Sequence, residues 1–113
     1  MLPQSNDDGK LLENTVFLNL RRKCKPTDKI FYYQGNKECD FVIQRNETIG
    51  ELIQACWDLS DENTGQRKIE GLLEACHVTN CTRMTIITND EEDGFMEEEM
   101  TIRVIPVWKW LLV

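Results

Sequence analysis

Leu12, Val16 and Leu20 recur at four-residue intervals, and Leu11 and Phe17 widen the stripe, so the pattern predicts an amphipathic helix over residues 9–24. Asp7 or Asp8 can cap its start, and Pro26 stops it. The period then falls to two. Lys29–Tyr33 and Lys37–Gln44 read as two strands of a hairpin around Gln34-Gly35-Asn36. Ile49–Trp57 is more apolar and is expected to be a central strand, with 37–44 pairing to both 29–33 and 49–57. Ser60-Asp61-Glu62 opens a second helix over 62–76, which carries Ile69, Leu72, Leu73 and Cys76 at helical spacing. Arg83–Thr88 and Met100–Ile105 are two further strands. The acidic stretch 89–99, with Gly94, is expected to be a solvated excursion, and the Trp108/Trp110 segment after Pro106 a closing element. The order α-β-β-β-α-β-β is that of a mixed α/β (α+β) sheet with a helix on each side, or both on one side. Residues 1–8 read as a flexible tail and 9–113 as a single compact domain.

With 113 residues, 41% hydrophobic and 29% charged, the chain has the composition of one globular domain. No stretch approaches the ~20 apolar residues of a membrane span. The first residues have neither the basic nor the apolar region of a signal peptide, and the odd number of cysteines points to a cytoplasmic location. Charge is uneven: the chain has net charge −7, with 8 bases against 6 acids in residues 1–45 and 5 against 14 in residues 46–113. Such a chain repels phosphate, so nucleic-acid binding is expected to be weak or absent. The basic run Arg21-Arg22-Lys23-Cys24-Lys25 complements the negative end of the first helix; the alternative is a phosphate-contacting patch. Five cysteines, none spaced C-x-x-C, with His77 the lone histidine, argue for reduced thiols and against a structural zinc site.

Two acids stand out by position: Glu13 on the first helix and Asp40 inside the second strand, where an acid is disfavoured unless something uses it. The stretches Gly9–Asn14, Lys37–Ile43, Leu52–Asp61, Thr64–Glu70 and Ile105–Leu112, in that order, resemble the C-terminal PD-(D/E)XK-like domain of unknown function of a prokaryotic AAA-type ATPase family. The resemblance runs from about Asp8 to Val113. It implies a restriction-endonuclease-like fold with Glu13, Asp40 and a third-strand Glu-x-Lys around one Mg²⁺, which would polarise a phosphate and acidify a water.

Two departures qualify what the resemblance implies. The chain has no G-x-x-x-x-G-K-[ST], so the ATPase module is absent and no ATP binding by that route is expected; the chain would be a truncated or stand-alone paralogue, or an excised domain. The third-strand pair reads Gln54-Ala55-Cys56: Gln54 lacks the carboxylate and Cys56 the fixed charge. Glu13, Asp40, Gln54 and Cys56 are then a vestigial catalytic set, and only Glu13 and Asp40 remain as metal-ligand candidates. Arg67 or Lys68 on the second helix could stand in for the lost lysine, and Glu51 or Asp58 for the lost acid, although strand parity argues against Glu51. The blander readings are a surface Glu13 pairing with Lys10 or with the neighbours of Arg21, an Asp40 hydrogen-bonded to a partner such as Gln54, and tryptophans 57, 108 and 110 serving as core and lid. The expectation is a non-catalytic module with a protein partner, no membrane contact and no cofactor. The alternative is a Mg²⁺-dependent DNA-processing nuclease with a rearranged site.

Overall fold

The computed structural model describes residues 6–113. Helix α1 (Asn6–Lys23) leads into strands β1 (Asp28–Gln34), β2 (Glu38–Arg45) and β3 (Thr48–Ala55); helix α2 (Glu62–Thr79) follows, then β4 (Met84–Thr88), β5 (Asp93–Glu97), β6 (Met100–Pro106) and the short α3 (Val107–Trp110). The six strands form one mixed sheet in the order β1-β2-β3-β4-β6-β5, parallel only at β3/β4 and β4/β6. This is an α+β architecture of the restriction-endonuclease-like kind, with one helix on each face. Leu12, Val16 and Leu20 of α1 pack on Phe41, Ile43, Ile53, Ile87 and Ile105, and Trp110 closes that layer. Leu72, Ala75 and Cys76 of α2 pack on the other face against Cys39, Leu52, Ile86, Ile102 and Val104. No helix among the described residues is long and apolar enough to cross a membrane.

The helix ends follow the charge pattern. Asp7 and Asp8 lie in the first turn of α1 and Arg21, Arg22 and Lys23 in its last, each sign opposing the dipole's partial charge there. Asp61 caps α2 by accepting from the Thr64 N–H, and Asn80, at φ 61°, ends it in the left-handed conformation. The differences from the sequence reading are local. Helix α1 begins at Asn6, so residues 6–8 are helical; the rest of the expected tail lies outside the described residues. Strand β3 stops at Ala55, leaving Trp57 and Asp58 beyond it. Residues 93–97 are a strand, where a solvated excursion was expected. β5 pairs with β6 through a two-residue turn at Glu98 and Glu99, both at positive φ (51° and 67°). Hairpins of that type normally declare themselves by Asn or Gly, and two glutamates hide the signal. Trp108, expected in the core or lid, is 58% exposed, whereas Trp110 is buried.

A cleft at the fork of β2 and β3

Pairing between β2 and β3 runs from Arg45 opposite Thr48 as far as Phe41 opposite Ile53. Past that point the ladder gives way to side chains. The Gln54 amide takes the place of a peptide group: its Oε1 accepts from the Asp40 N–H at 2.7 Å, and its Nε2 donates to the Glu38 carbonyl at 2.7 Å and the Lys68 carbonyl at 3.0 Å. Asp40 reciprocates. Its Oδ2 accepts from the Ala55 N–H at 2.8 Å and from the Lys68 ammonium at 2.9 Å. Gly71 lets α2 come this close, since a Cβ there would sit 1.8 Å from the Glu38 carbonyl oxygen and 2.6 Å from Gln54 Nε2. Every polar atom of the Gln54 amide is therefore matched, as complete burial of the side chain demands.

Asp40 and Lys68 form an ion pair whose side chains are 9% and 18% exposed, so water screens it little. Asp40 also lines a cleft of about 610 Å³ together with Glu13, Lys10 and the rings of Phe17, Tyr32 and Phe41. A smaller adjoining cleft of about 330 Å³ brings Glu13 together with Cys56, Asp58, Arg67 and Lys68. Partial burial raises the Glu13 carboxyl above its ordinary value, the charge of Asp40 adds to this, and Lys68 opposes it. Burial also raises the Cys56 thiol, against the pull of Lys68, and pushes Cys39 up to about 12. Burial thus favours the protonated, weakly nucleophilic form of both thiols at neutral pH.

The structure thus places Glu13 and Asp40 on one cleft and Cys56 with Glu13 on the adjoining one. Gln54 is directed away, into the joint between β2 and α2. What Gln54 meets at Asp40 is the main-chain N–H, while the Asp40 carboxylate goes to Ala55 and Lys68. Among the described residues Glu13 takes part in no ion pair, so the pairing with Lys10 is not formed, although Lys10 lines the same cleft. Of the two bases on α2, Lys68 reaches Asp40 and Arg67 lines the smaller cleft. Asp58 accepts from the Ser60 N–H and hydroxyl, and Glu51 pairs with Arg45 in a separate groove lined with bases. Sequence pattern marked Lys68 only as one of two bases on a helix face, because its meeting with Asp40 depends on how closely α2 docks.

Mg²⁺ requires near-octahedral oxygen coordination. Asp40 already accepts from two donors, one of them a cation, Glu13 holds its proton more tightly than usual, and among the described residues no three His, Cys, Asp or Glu side chains converge as a metal-holding group. The residues present do not fit the ion that the family resemblance implies.

No family model matches the chain. It is 36% identical, over a 118-residue alignment covering 96% of it, to the uncharacterised protein MJ1544 of Methanocaldococcus jannaschii. The chain spans about a quarter (26%) of that relative's length. Its fold is similar, at TM-score 0.56 and 15% identity over 87% of this chain, to 27% of a chain in the half-complex from the tetradecameric assembly of Thermococcus gammatolerans McrB AAA+ hexamers with bound McrC.

Proposed function

We propose that the domain is a non-catalytic restriction-endonuclease-like module, related to the C-terminal domain of an AAA-type ATPase, that works by docking to a protein partner. The observation that carries this reading is the Asp40–Lys68 pair. An internal ammonium, with the Ala55 N–H, takes up Oδ2 of the strand-two carboxylate and offsets its charge. The character of the adjacent cleft agrees. Its walls set the side chains of Phe17, Ile30 and Phe41 beside Lys10 and the acids Glu13 and Asp40, and Phe31 and Tyr32 at its edge are 45% and 54% exposed, which suits a protein surface better than a phosphate backbone. The relative's fourfold greater length and the neighbour's place in an assembly of AAA+ hexamers support a module that acts within something larger.

The test has two parts. The isolated domain is incubated with plasmid, linear and single-stranded DNA in Mg²⁺ or Mn²⁺, and no cleavage is expected. It is also titrated calorimetrically against the AAA-type ATPase of its own genome in each nucleotide state, and saturable binding is expected in at least one. Cleavage that Asp40→Ala abolishes would overturn the non-catalytic reading, and lack of binding in every state would overturn this partner. Cleavage would instead establish a second reading, a nuclease with a rearranged site. One observation favours it: Glu13 and Asp40, the two carboxylates it would use, line one cleft.

A further inference from the structure

A second groove, of about 630 Å³, lies away from the Asp40 cleft, towards the starts of the three parallel strands and beneath the C-terminal end of α1. Five cations from separate elements converge on it: Lys23 and Lys25 at and after the end of α1, Arg45 at the end of β2, Arg83 before β4 and Arg103 on β6. Its lining holds two side-chain carboxylates, Asp28 and Glu51. The lining is therefore strongly basic in a chain of net charge −7.

Two of the cations are occupied locally. Lys23 donates to the Val113 main-chain oxygen and stands over the Trp110 ring, and Arg45 pairs with Glu51 at 3.5 Å. Among the described residues, Lys25, Arg83 and Arg103 take part in no ion pair, although the chain has 20 acidic side chains. Arg103 lies opposite Thr85 across the β4/β6 ladder, and Arg83 is two residues before Thr85. Arg83, just ahead of β4, and Arg103, on β6, thus line the same groove, where like charges repel. Of the apolar members of the lining, Leu20, Ile43 and Trp110 are buried and Val113 is exposed, so the groove offers much charge and little apolar anchorage for a side chain.

We propose that this groove binds a ligand carrying several phosphate groups close together, with Arg83 and Arg103 as the principal contacts and Lys25 beside them. Guanidinium forks match phosphate oxygens in pairs, and a ligand held by charge alone needs no apolar pocket. Phosphate groups fit these requirements better than an acidic peptide, which would leave its side chains unanchored. The phosphates can belong to a free polyphosphate or to a nucleic-acid backbone. The basic run at residues 21–25 contributes Lys23 and Lys25 to the groove, while Arg21 and Arg22 lie outside its lining.

The experiment is calorimetric titration of the domain at about 50 mM salt with orthophosphate, inorganic tripolyphosphate, a short single-stranded oligonucleotide and polyglutamate. Tripolyphosphate is expected to bind more tightly than orthophosphate. The double variant Arg83→Gln/Arg103→Gln should weaken its binding at least about tenfold, and Lys37→Gln, a control outside the groove, should leave it unchanged. If the oligonucleotide binds, with a log K against log salt slope that falls by about 1.4 in the double variant, the source is a nucleic-acid backbone; if tripolyphosphate alone binds, it is a free polyphosphate. Both arginines are exposed, so the variant is expected to fold, and a circular-dichroism melt checks this. The proposal fails if no phosphate probe binds, if the double variant and the control weaken binding alike, or if polyglutamate binds as tightly as tripolyphosphate.

Discussion

Restoring the nuclease-like carboxylate by Gln54→Glu should damage the fold rather than rebuild a metal site. The new side chain keeps an acceptor for the Asp40 N–H but loses the donor that serves the Glu38 and Lys68 carbonyls. Protonated, it can serve one of them, and the other orphaned contact costs about 1–2 kcal/mol. Ionised, it sets a fully buried negative charge against two carbonyl oxygens, and the cost rises to about 3–5 kcal/mol. The folded variant therefore holds the proton of the introduced carboxyl above the ordinary glutamate value of about 4.3. A native state that binds the proton more tightly than the unfolded chain loses stability as pH rises from that ordinary value, and the loss levels off once the folded pKa is passed. Urea unfolding followed by tryptophan fluorescence at pH 4 and pH 8 reads this directly. With an m-value of about 1–2 kcal/mol/M, the midpoint should fall by about 2 M at pH 8 and by markedly less at pH 4, relative to the unmodified protein at each pH. A pH-independent loss below about 0.5 kcal/mol would refute the placement of the Gln54 amide in the β2–α2 joint.

Gly71→Ala should destabilise by about 3 kcal/mol or more in a thermal melt, although helix propensity alone would make it stabilising by about 1 kcal/mol, because its Cβ would collide with the Glu38 carbonyl. Glu13 should titrate by NMR above an ordinary glutamate, and Asp40→Ala should lower its pKa by removing a negative neighbour; stability linked to Glu13 correspondingly falls as pH rises through the folded value. Of the five cysteines, the half-buried Cys24 should react with a thiol reagent in the native state and the four buried ones only after unfolding, as counted by mass spectrometry.

Helical and strand periodicity carried most of the architecture, because Leu12, Val16 and Leu20 bury one stripe of α1 and the apolar run through Leu52 and Ile53 has no solvent face. β5 escaped notice because its turn is made by Glu98 and Glu99, whose charges suggest solvent while their positive φ values make a hairpin. At the cleft, Glu13 and Asp40 were legible as a pair from helix and strand placement alone. The inward turn of Gln54 was not, because it depends on β2 parting from β3 after Phe41 and on Gly71 admitting α2. Whether Arg67 or Lys68 meets Asp40 is likewise decided by the rotation of α2, which a one-residue difference in sequence does not specify.

The order in which the sheet is connected has a kinetic consequence. β1, β2 and β3 are neighbours both in space and along the chain, joined by turns at 35–37 and 46–47, so their pairing closes only short loops. β3 and β4 join only after the intervening chain has folded back through α2, and the Asp40–Lys68–Gln54 joint forms at that docking step. Residues 28–55 should therefore supply the folding nucleus, with the α2 contacts consolidating after the barrier. Weakening the joint at Lys68 would then steepen escape from the native state while leaving the rate of entry nearly unchanged, so this one ion pair would govern how long the domain stays folded more than how fast it gets there.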